Sequence, residues 1–358
     1  MSRARPAIVQ ICPAAEGGVH DFAACLAQAW TAEGIATTTW TLSEETDREQ
    51  PLAARVGDRV AGSATGAPVT LLLHFSGYGY ATRGLCTWLV DALRPLAARP
   101  SGRPRIVIVF HELFAAGPPW RSAFWLGPWQ AAIAGRLAGL ADAIWTNTEH
   151  HAGWLRPRAQ PGAGLVVRPV FSNVGEPAAL PQWQGRQPRA IVFGSAATRA
   201  RALAGLRGRE AMLRQLGVEE LVEVGHGPAC TAPPTALAHR ALGRLDGDAL
   251  TRALAESRFG LLDYPARYLG KSGVLAAYAA HGCAVLDTGA PGRAYDGLAC
   301  GRDYIALGAA GGHGRDAMAA TTSLAAMAAR LHRWYADHRL SRQAQELLSL
   351  ASGGSPDH

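Results

Sequence analysis

No run of this sequence stays apolar for the roughly 20 residues a membrane-crossing helix needs, so no membrane span is expected. The opening residues, MSRARPAIVQIC, carry basic side chains but only a brief apolar run and no cleavage pattern, which predicts a first strand and not a secretion signal. The six cysteines, at 12, 25, 86, 230, 283 and 300, contain no C-x-x-C pair. Buried thiols in a reducing compartment account for them most simply, and the cytoplasm is the expected location. No basic arm is present: residues 1–175 hold 15 basic and 12 acidic side chains, and the remainder 20 and 16. That even spread argues against nucleic acid as a partner. A diffuse net charge of +7 suits anionic small substrates, with at most peripheral contact to a membrane surface. Lysine is almost missing as well. One of the 35 basic residues, Lys271, is a lysine and the other 34 are arginines.

What is present is a folded chain of ordinary composition, 48% hydrophobic and 18% charged, with 358 residues to divide between two domains. Short apolar runs alternate with helical patterns. Strands are expected at residues 7–12, 36–42, 69–75, 105–110, 143–146 and 165–168, with helices over 19–33 and 85–98, one ending near 140 and a short one after 146. Residues 173–188, rich in proline and without periodicity, are expected to be a linker. The same winding then restarts, with strands near 190–193, 220–224, 241–245, 259–262, 284–286 and 304–307 and terminal helices over 321–338 and 341–350. This predicts an α/β protein with two parallel sheets, in domains 1–172 and 189–335, followed by a helix and tail over 336–358.

Residues 259–289 carry the densest chemistry. A buried strand, the turn Gly270-Lys271-Ser272-Gly273, a tightly packed helix from Val274, Gly282 and another strand form a βαβ unit. The start of such a helix offers free N–H groups and a positive dipole end. A cation is mildly unfavourable there, and a sequence this biased toward arginine uses a lysine only where a compact ammonium on a flexible stem is wanted. A diphosphate fits that description.

Phe193-Gly194, the Gly225-His226-Gly227 turn, Gly243-Arg244-Leu245 and the block from Phe259 to Leu286 occur in the order seen in retaining glycosyltransferases of GT-B fold. The sequence resembles that large family, the family 4-like or group 1 glycosyl transferases, over residues 189–290. Glu16-Gly17-Gly18 and a strand-ending His111 resemble it more loosely in the first half. The resemblance implies two Rossmann-like domains facing each other across a cleft. A nucleotide-diphosphate sugar, a UDP-sugar ahead of a GDP-sugar, would lie in the second domain, and a small-molecule, glycan or lipid-linked acceptor in the first. It implies retention of configuration and no resident cofactor. The family carries two glutamates eight positions apart at the key helix, and here those places are Leu269 and Ala277. A non-catalytic pseudo-enzyme is therefore the rival reading.

The candidate residues follow from position. Lys271, an arginine at Arg199 or Arg201, and the helix start at Gly270, Ser272, Gly273 and Val274 would hold the diphosphate. Gly194 and Ser195, Gly225 and His226, and Arg244 and Leu245 would complete the donor contacts at strand ends. Gly17 and Gly18 let backbone approach the donor closely. His111 is placed to hydrogen-bond a sugar hydroxyl or the reacting centre, and Glu112 is either a sugar contact or a helix-capping acid. Tyr78, Tyr80, Trp120 and Arg121, with Trp125 and Trp129, either stack on an acceptor, rest at a membrane interface or pack a long loop. Asp246-Gly247-Asp248 looks like a metal-binding DxD, but it begins an apolar-periodic helix, so a helix cap and no metal are expected.

Overall fold

The computed structural model describes residues 7–14, 17–61, 68–230, 233, 235–308 and 323–354. Glu16, the start of the helix expected from 321, and the tail beyond 354 lie outside these. The first part of the chain runs β1 (Ala7–Pro13), α1 (Gly18–Ala32), β2 (Thr37–Leu42), α2 (Glu44–Glu49), α3 (Leu52–Ala61), β3 (Val69–Phe75) and α4 (Gly77–Tyr80). It continues through α5 (Thr87–Ala97), β4 (Arg105–Phe110), α6 (Ser122–Leu140), β5 (Ala143–Thr146), α7 (Glu149–Leu155) and β6 (Gly164–Val167). The second part runs β7 (Gln187–Phe193), α8 (Ala196–Ala204), α9 (Glu210–Gln215), β8 (Glu220–Val224), β9 (Ala238–Gly243), α10 (Gly247–Ala255) and β10 (Ser257–Leu262). Then come α11 (Gly273–Ala280), β11 (Ala284–Asp287), β12 (Ile305–Ala306), α12 (Leu324–Ala336) and α13 (Leu340–Ala351).

Two six-stranded sheets result, with strand orders β2-β1-β3-β4-β5-β6 and β12-β11-β10-β7-β8-β9. Every paired strand is parallel. Strands covered on both faces have no polar side, which is why β3 and β4 read VTLLLHF and RIVIVF and are buried almost throughout. The two sheets are wound differently. The first turns back beside β1, between β1 and β3; the second follows the dinucleotide-fold order and turns back between β7 and β10. Such reversal points open a crevice at the strand C-termini, where α/β folds take ligands.

The chain divides into two compact units, residues 1–168 with 340–358, and residues 169–339. The expected linker over 173–188 is not free. Thr251 donates to the Val174 carbonyl at 2.9 Å, and Arg186 holds the carbonyls of His281 and Gly282 at 2.8 and 2.7 Å. Its prolines remove periodicity without preventing it from packing on the second unit. The terminal helix α13 belongs to the first unit. The Trp30 indole donates to the Ala344 carbonyl at 2.9 Å, Thr70 to that of Ala351 at 2.8 Å, and Arg168 pairs with Glu346. Two helices went unforeseen: α2 starts with a Ser43–Thr46 capping box, and α3 buries Leu52 and Val56 in the core. Trp125 and Trp129, expected in a loop, lie on α6.

Around α11 the packing is tight. Leu275 to Ala280 are all buried, because the helix presents no polar face. The Tyr278 hydroxyl bridges the Ile191 and Leu261 carbonyls of β7 and β10, at 2.8 and 2.9 Å. Position 260 on β10 must be glycine to admit that ring, since a Cβ there would come within 2.3 Å of it. All six cysteines are free thiols; Cys12, Cys86 and Cys283 are buried and the other three half-buried. No described helix is long and apolar enough to cross a membrane.

Candidate functional site

In the second unit the reversal point lies where β7 ends at Gly194 and where the segment after β10 enters α11. Gly194 has φ 127°, and a Cβ on it would lie 3.9 Å from Val274 Cγ2. The loop after β7 and the start of α11 therefore meet. Ser195 caps α8 through Thr198 N at 3.2 Å, and Ser272 caps α11 through Leu275 N at 3.2 Å. Lys271 ends a 3-10 turn (Ala266–Lys271) and is half-buried, its Nζ 5.3 Å from the centre of the Tyr268 ring. The Gly270 carbonyl accepts from Val170 N at 2.8 Å.

Arg199, expected as a candidate phosphate ligand, is turned into the protein. It is 1% exposed. Its guanidinium pairs with Glu223 at 2.7 Å and donates to the carbonyls of Gly194 (2.5 Å), His226 (3.1 Å) and Pro228 (3.1 Å). Burial alone would raise the Glu223 carboxyl, but hydrogen bonds from Arg199 and Cys230 N, with the charges of Arg199 and His239, outweigh it and hold the group below the ordinary range. This pair ties the loops after β7 and β8 together. Gly225, at φ 153°, is required by it, since a Cβ would come within 2.2 Å of the Arg199 guanidinium.

Arg201 faces solvent and pairs loosely with Asp263 at 3.6 Å. It lines a cavity of about 620 Å³ over the ends of β10 and β11, with Asp263, Tyr264, Arg267, Gly289 and Arg293. Lys271, Ser272 and Gly194 do not line it. Beside this cavity Asp287 ends β11, fully buried. Its Oδ1 accepts from Tyr264 N and Gly289 N, and its Oδ2 has no partner among the described residues. Burial first, and then the Asp263 charge, push it up to about 6 against those two hydrogen bonds and Arg209. His226 and Arg244 are exposed at the ends of β8 and β9, and Leu245 is half-buried. Asp246 caps α10 through Ala249 N at 2.7 Å.

In the first unit Gly17 caps α1 with backbone alone, at φ 144°, and a Cβ on Gly17 or Gly18 would meet nothing within 4 Å. His111 follows β4 and is 8% exposed, with its ring edge-to-face on Phe22 at 4.9 Å. Its Nε2 lies 3.1 Å from His74 Nδ1. His74 Nε2 lies 2.8 Å from Gln10 Oε1, and Gln10 Nε2 donates to the Ala23 carbonyl at 3.0 Å. Gln10 and His74 were missed at the sequence level, although each is a polar residue inside an otherwise apolar strand and so had to find a partner. Glu112 is exposed and accepts from Ser76 Oγ at 3.3 Å; it does not cap α6, whose cap position is Arg121.

The aromatic candidates separate. Tyr80 is 5% exposed, and its hydroxyl reaches the Ile11 and His74 carbonyls at 3.2 and 3.0 Å, so it braces β1 against β3 and offers no stacking surface. Tyr78 is 49% exposed, Trp120 81%, Trp125 67% and Trp129 69%. Packing of a long loop does not account for indoles that remain in water. Arg121 is exposed next to Trp120.

The sequence matches no family model and no curated protein. Solved structures match the whole chain. An α-glucosyltransferase in complex with UDP aligns with a TM-score of 0.58 at 9% identity, over 98% of this chain and 100% of its own. Anabaena Alr3699/HepE in complex with UDP-glucose aligns with a TM-score of 0.54 at 12% identity, over 96% and 99%. The chain has the GT-B fold. A third GT-B structure is an α-glucosyltransferase with UDP-glucose and DNA containing an abasic site, with a TM-score of 0.56 at 10% identity over 96% and 98%. It corrects the expectation that excluded nucleic acid. Phosphate contacts need arginines spaced along a surface, not one basic arm, so an even charge distribution does not rule such a partner out.

Proposed function

We propose that this chain is a glycosyltransferase that moves a sugar from a nucleotide-diphosphate sugar to an acceptor. The observation that carries the reading is the meeting of Gly194 with Val274 at the reversal point of the second sheet. Backbone N–H groups at the start of α11 and the chain's single lysine stand beside it. In the reaction the bond from the sugar's anomeric carbon to the diphosphate breaks, and a bond to an acceptor hydroxyl forms as that hydroxyl loses its proton. The diphosphate gains charge as it leaves, and Lys271 with the helix start stabilises it there more than in the ground state. Arg201 is the arginine available to assist. No metal is assigned a part. The solved neighbours are bound to UDP or UDP-glucose, which supports a UDP-sugar ahead of a GDP-sugar as donor and a hexose as the sugar. Retention of configuration follows from the resemblance. The first unit would meet the acceptor through His111, Glu112, Gly17 and Gly18 and the exposed aromatics. DNA joins the small-molecule, glycan and lipid-linked classes as an acceptor class to be tested, since one solved neighbour is in complex with UDP-glucose and DNA.

One feature favours the non-catalytic reading. Leu269 and Ala277, where the family's paired glutamates fall, are 2% and 0% exposed and put no carboxylate near the donor. Lys271→Ala separates the two readings. A transferase should lose about 2–4 kcal/mol of transition-state stabilisation, read as a fall in kcat together with weaker UDP affinity, and Lys271→Arg should recover only part. Unchanged UDP affinity in a folded Lys271→Ala protein would refute the donor site. UDP binding without turnover across the acceptor classes, with and without EDTA, would leave the pseudo-enzyme.

A further inference from the structure

We propose that the outer face of α6 is a docking surface for a membrane bearing anionic lipid, on which the protein lies without crossing it. The helix has two unlike sides. The inner one is packed: Gly127, Ile133, Ala134, Leu137 and Ala138 are buried, and so is Gln130. A Cβ at position 127 would come within 2.9 Å of the Ala115 carbonyl oxygen, so the helix lies directly on that backbone. Gln130 fixes the rotation of the helix about its axis. Its Nε2 donates to the Arg83 carbonyl at 2.6 Å and to the Tyr78 hydroxyl at 3.2 Å, and its Oε1 accepts from Ala115 N at 2.7 Å. The indoles on the other side are therefore held in water by an anchored helix, not left there by loose packing.

The outer side has the composition of a lipid contact. Between Ser122 and Arg136 every residue except Gln130 is apolar or glycine, and Phe124, Trp125, Pro128, Trp129 and Ala132 are the exposed ones. Trp120 stands exposed just before the helix, and the Trp125 indole is tied to the Pro119 carbonyl at 2.9 Å. Trp125 and Trp129, one helical turn apart, share a face. Indoles collect where water meets lipid, because the ring is apolar while its N–H keeps a polar partner. Charge decides among occupants. Arg121 and Arg136 are exposed at the two ends of the strip, about 22 Å apart along the helix axis. No aspartate or glutamate occurs from Leu113 to Ala141. The adjoining segment from Ser76 to Val90, which Gln130 ties to α6, adds the exposed Tyr78, Arg83 and Leu85 and again no acid. Cations bracketing an apolar strip suit anionic headgroups around inserted rings. A nucleic acid calls for cations along the strip to meet its phosphates, and a protein partner for hydrogen-bonding side chains among the anchors. Beyond the indole N–H groups the strip has neither.

The test uses the full chain without donor or acceptor, so its outcome is separate from that of the glycosyl-transfer reading. Flotation is measured with vesicles of phosphatidylcholine alone and of phosphatidylcholine with phosphatidylglycerol in a three-to-one ratio. The protein should float with the mixed vesicles and bind the neutral ones about tenfold less, and added salt should weaken binding. Trp120→Ser with Trp129→Ser, at indoles that face solvent, should melt as the wild type does and bind about tenfold less. Arg121→Gln with Arg136→Gln should erase most of the preference for phosphatidylglycerol. Brominated lipid should quench wild-type tryptophan fluorescence and quench the double serine variant distinctly less. Failure of the wild type to float with the mixed vesicles overturns the inference by itself. So does flotation that the folded serine variant retains, since another surface would then carry it. Indole-dependent binding of a single-stranded oligonucleotide, or indole-dependent self-association, without vesicle binding would give the face to nucleic acid or to a second copy of the chain, and would overturn the inference as well.

Discussion

The two units hold the ends of their strands by opposite means. In the first, Gln10, His74 and His111 form a hydrogen-bonded chain of side chains across β1, β3 and β4. In the second, the fully charged pair of Arg199 and Glu223 locks the loops after β7 and β8. Both arrangements are buried and both sit at or next to a reversal point in strand order. The difference lies in what each leaves for chemistry. An arginine surrounded by a carboxylate and three carbonyls has four of its five N–H donors engaged and fixes shape. The charged pair therefore serves as scaffold, whereas the histidines stand at strand ends where the first unit's chemistry is proposed.

That contrast breaks most visibly at Arg199. Arg199→Ala leaves Glu223 ionised and buried without its partner, and stability should fall by about 3–5 kcal/mol, read by chemical denaturation. Replacing both members, Arg199→Met with Glu223→Leu, should recover most of the loss. If Arg199→Ala instead kept wild-type stability and lost only UDP affinity, Arg199 would be a ligand after all and the contrast would fail.

The next effect is smaller and depends on pH. Asp287 has its pKa raised from 3.8 to about 6 in the folded protein. The folded state holds this proton more tightly than the unfolded state. Its favourable contribution is therefore complete below pH 3.8 and is lost as pH rises through 6. Asp287→Asn keeps the acceptor for Tyr264 N and Gly289 N and removes the charge. It should raise stability at pH 8 by at most about 3 kcal/mol, with the gain shrinking toward nothing near pH 4 in a series of thermal melts. A gain that is constant with pH would mean that charge burial is not the cause.

The smallest effects belong to the strand ends of the first unit. Tyr80→Phe removes the hydroxyl that bridges the Ile11 and His74 carbonyls and should cost about 1–2 kcal/mol. Tyr78→Phe, at a half-exposed ring whose hydroxyl meets Gln130, should stay within about 0.5 kcal/mol. Equal losses from the two, measured by urea unfolding, would show that burial does not separate them.

Much of the fold could be read from residue order alone. Short β-branched runs such as RIVIVF and VTLLLHF read as strands buried on both faces, and their alternation with helical patterns pointed to parallel sheets in two domains. The turn at Lys271 was legible because one lysine among 34 arginines is a chemical choice, and Asp246 because an acid before an apolar-periodic helix caps it. Local spacing carries that kind of information, since caps, turns and periodicity involve residues a few positions apart. Partners distant in the chain do not show in it. Arg199 and Arg201 look equivalent in sequence, and only the folding of β8 beside β7, which brings Glu223 to one of them, made one a buried brace and left the other on a cavity wall. Tyr78 and Tyr80 separated in the same way, according to which ring found carbonyls on two strands. The return of α13 to the first unit and the line from Ala23 through Gln10 and His74 to His111 join residues 13 to more than 300 positions apart. Composition and period determined the elements; the directions of buried hydrogen bonds, which exist only once strands lie side by side, decided what each polar side chain is for.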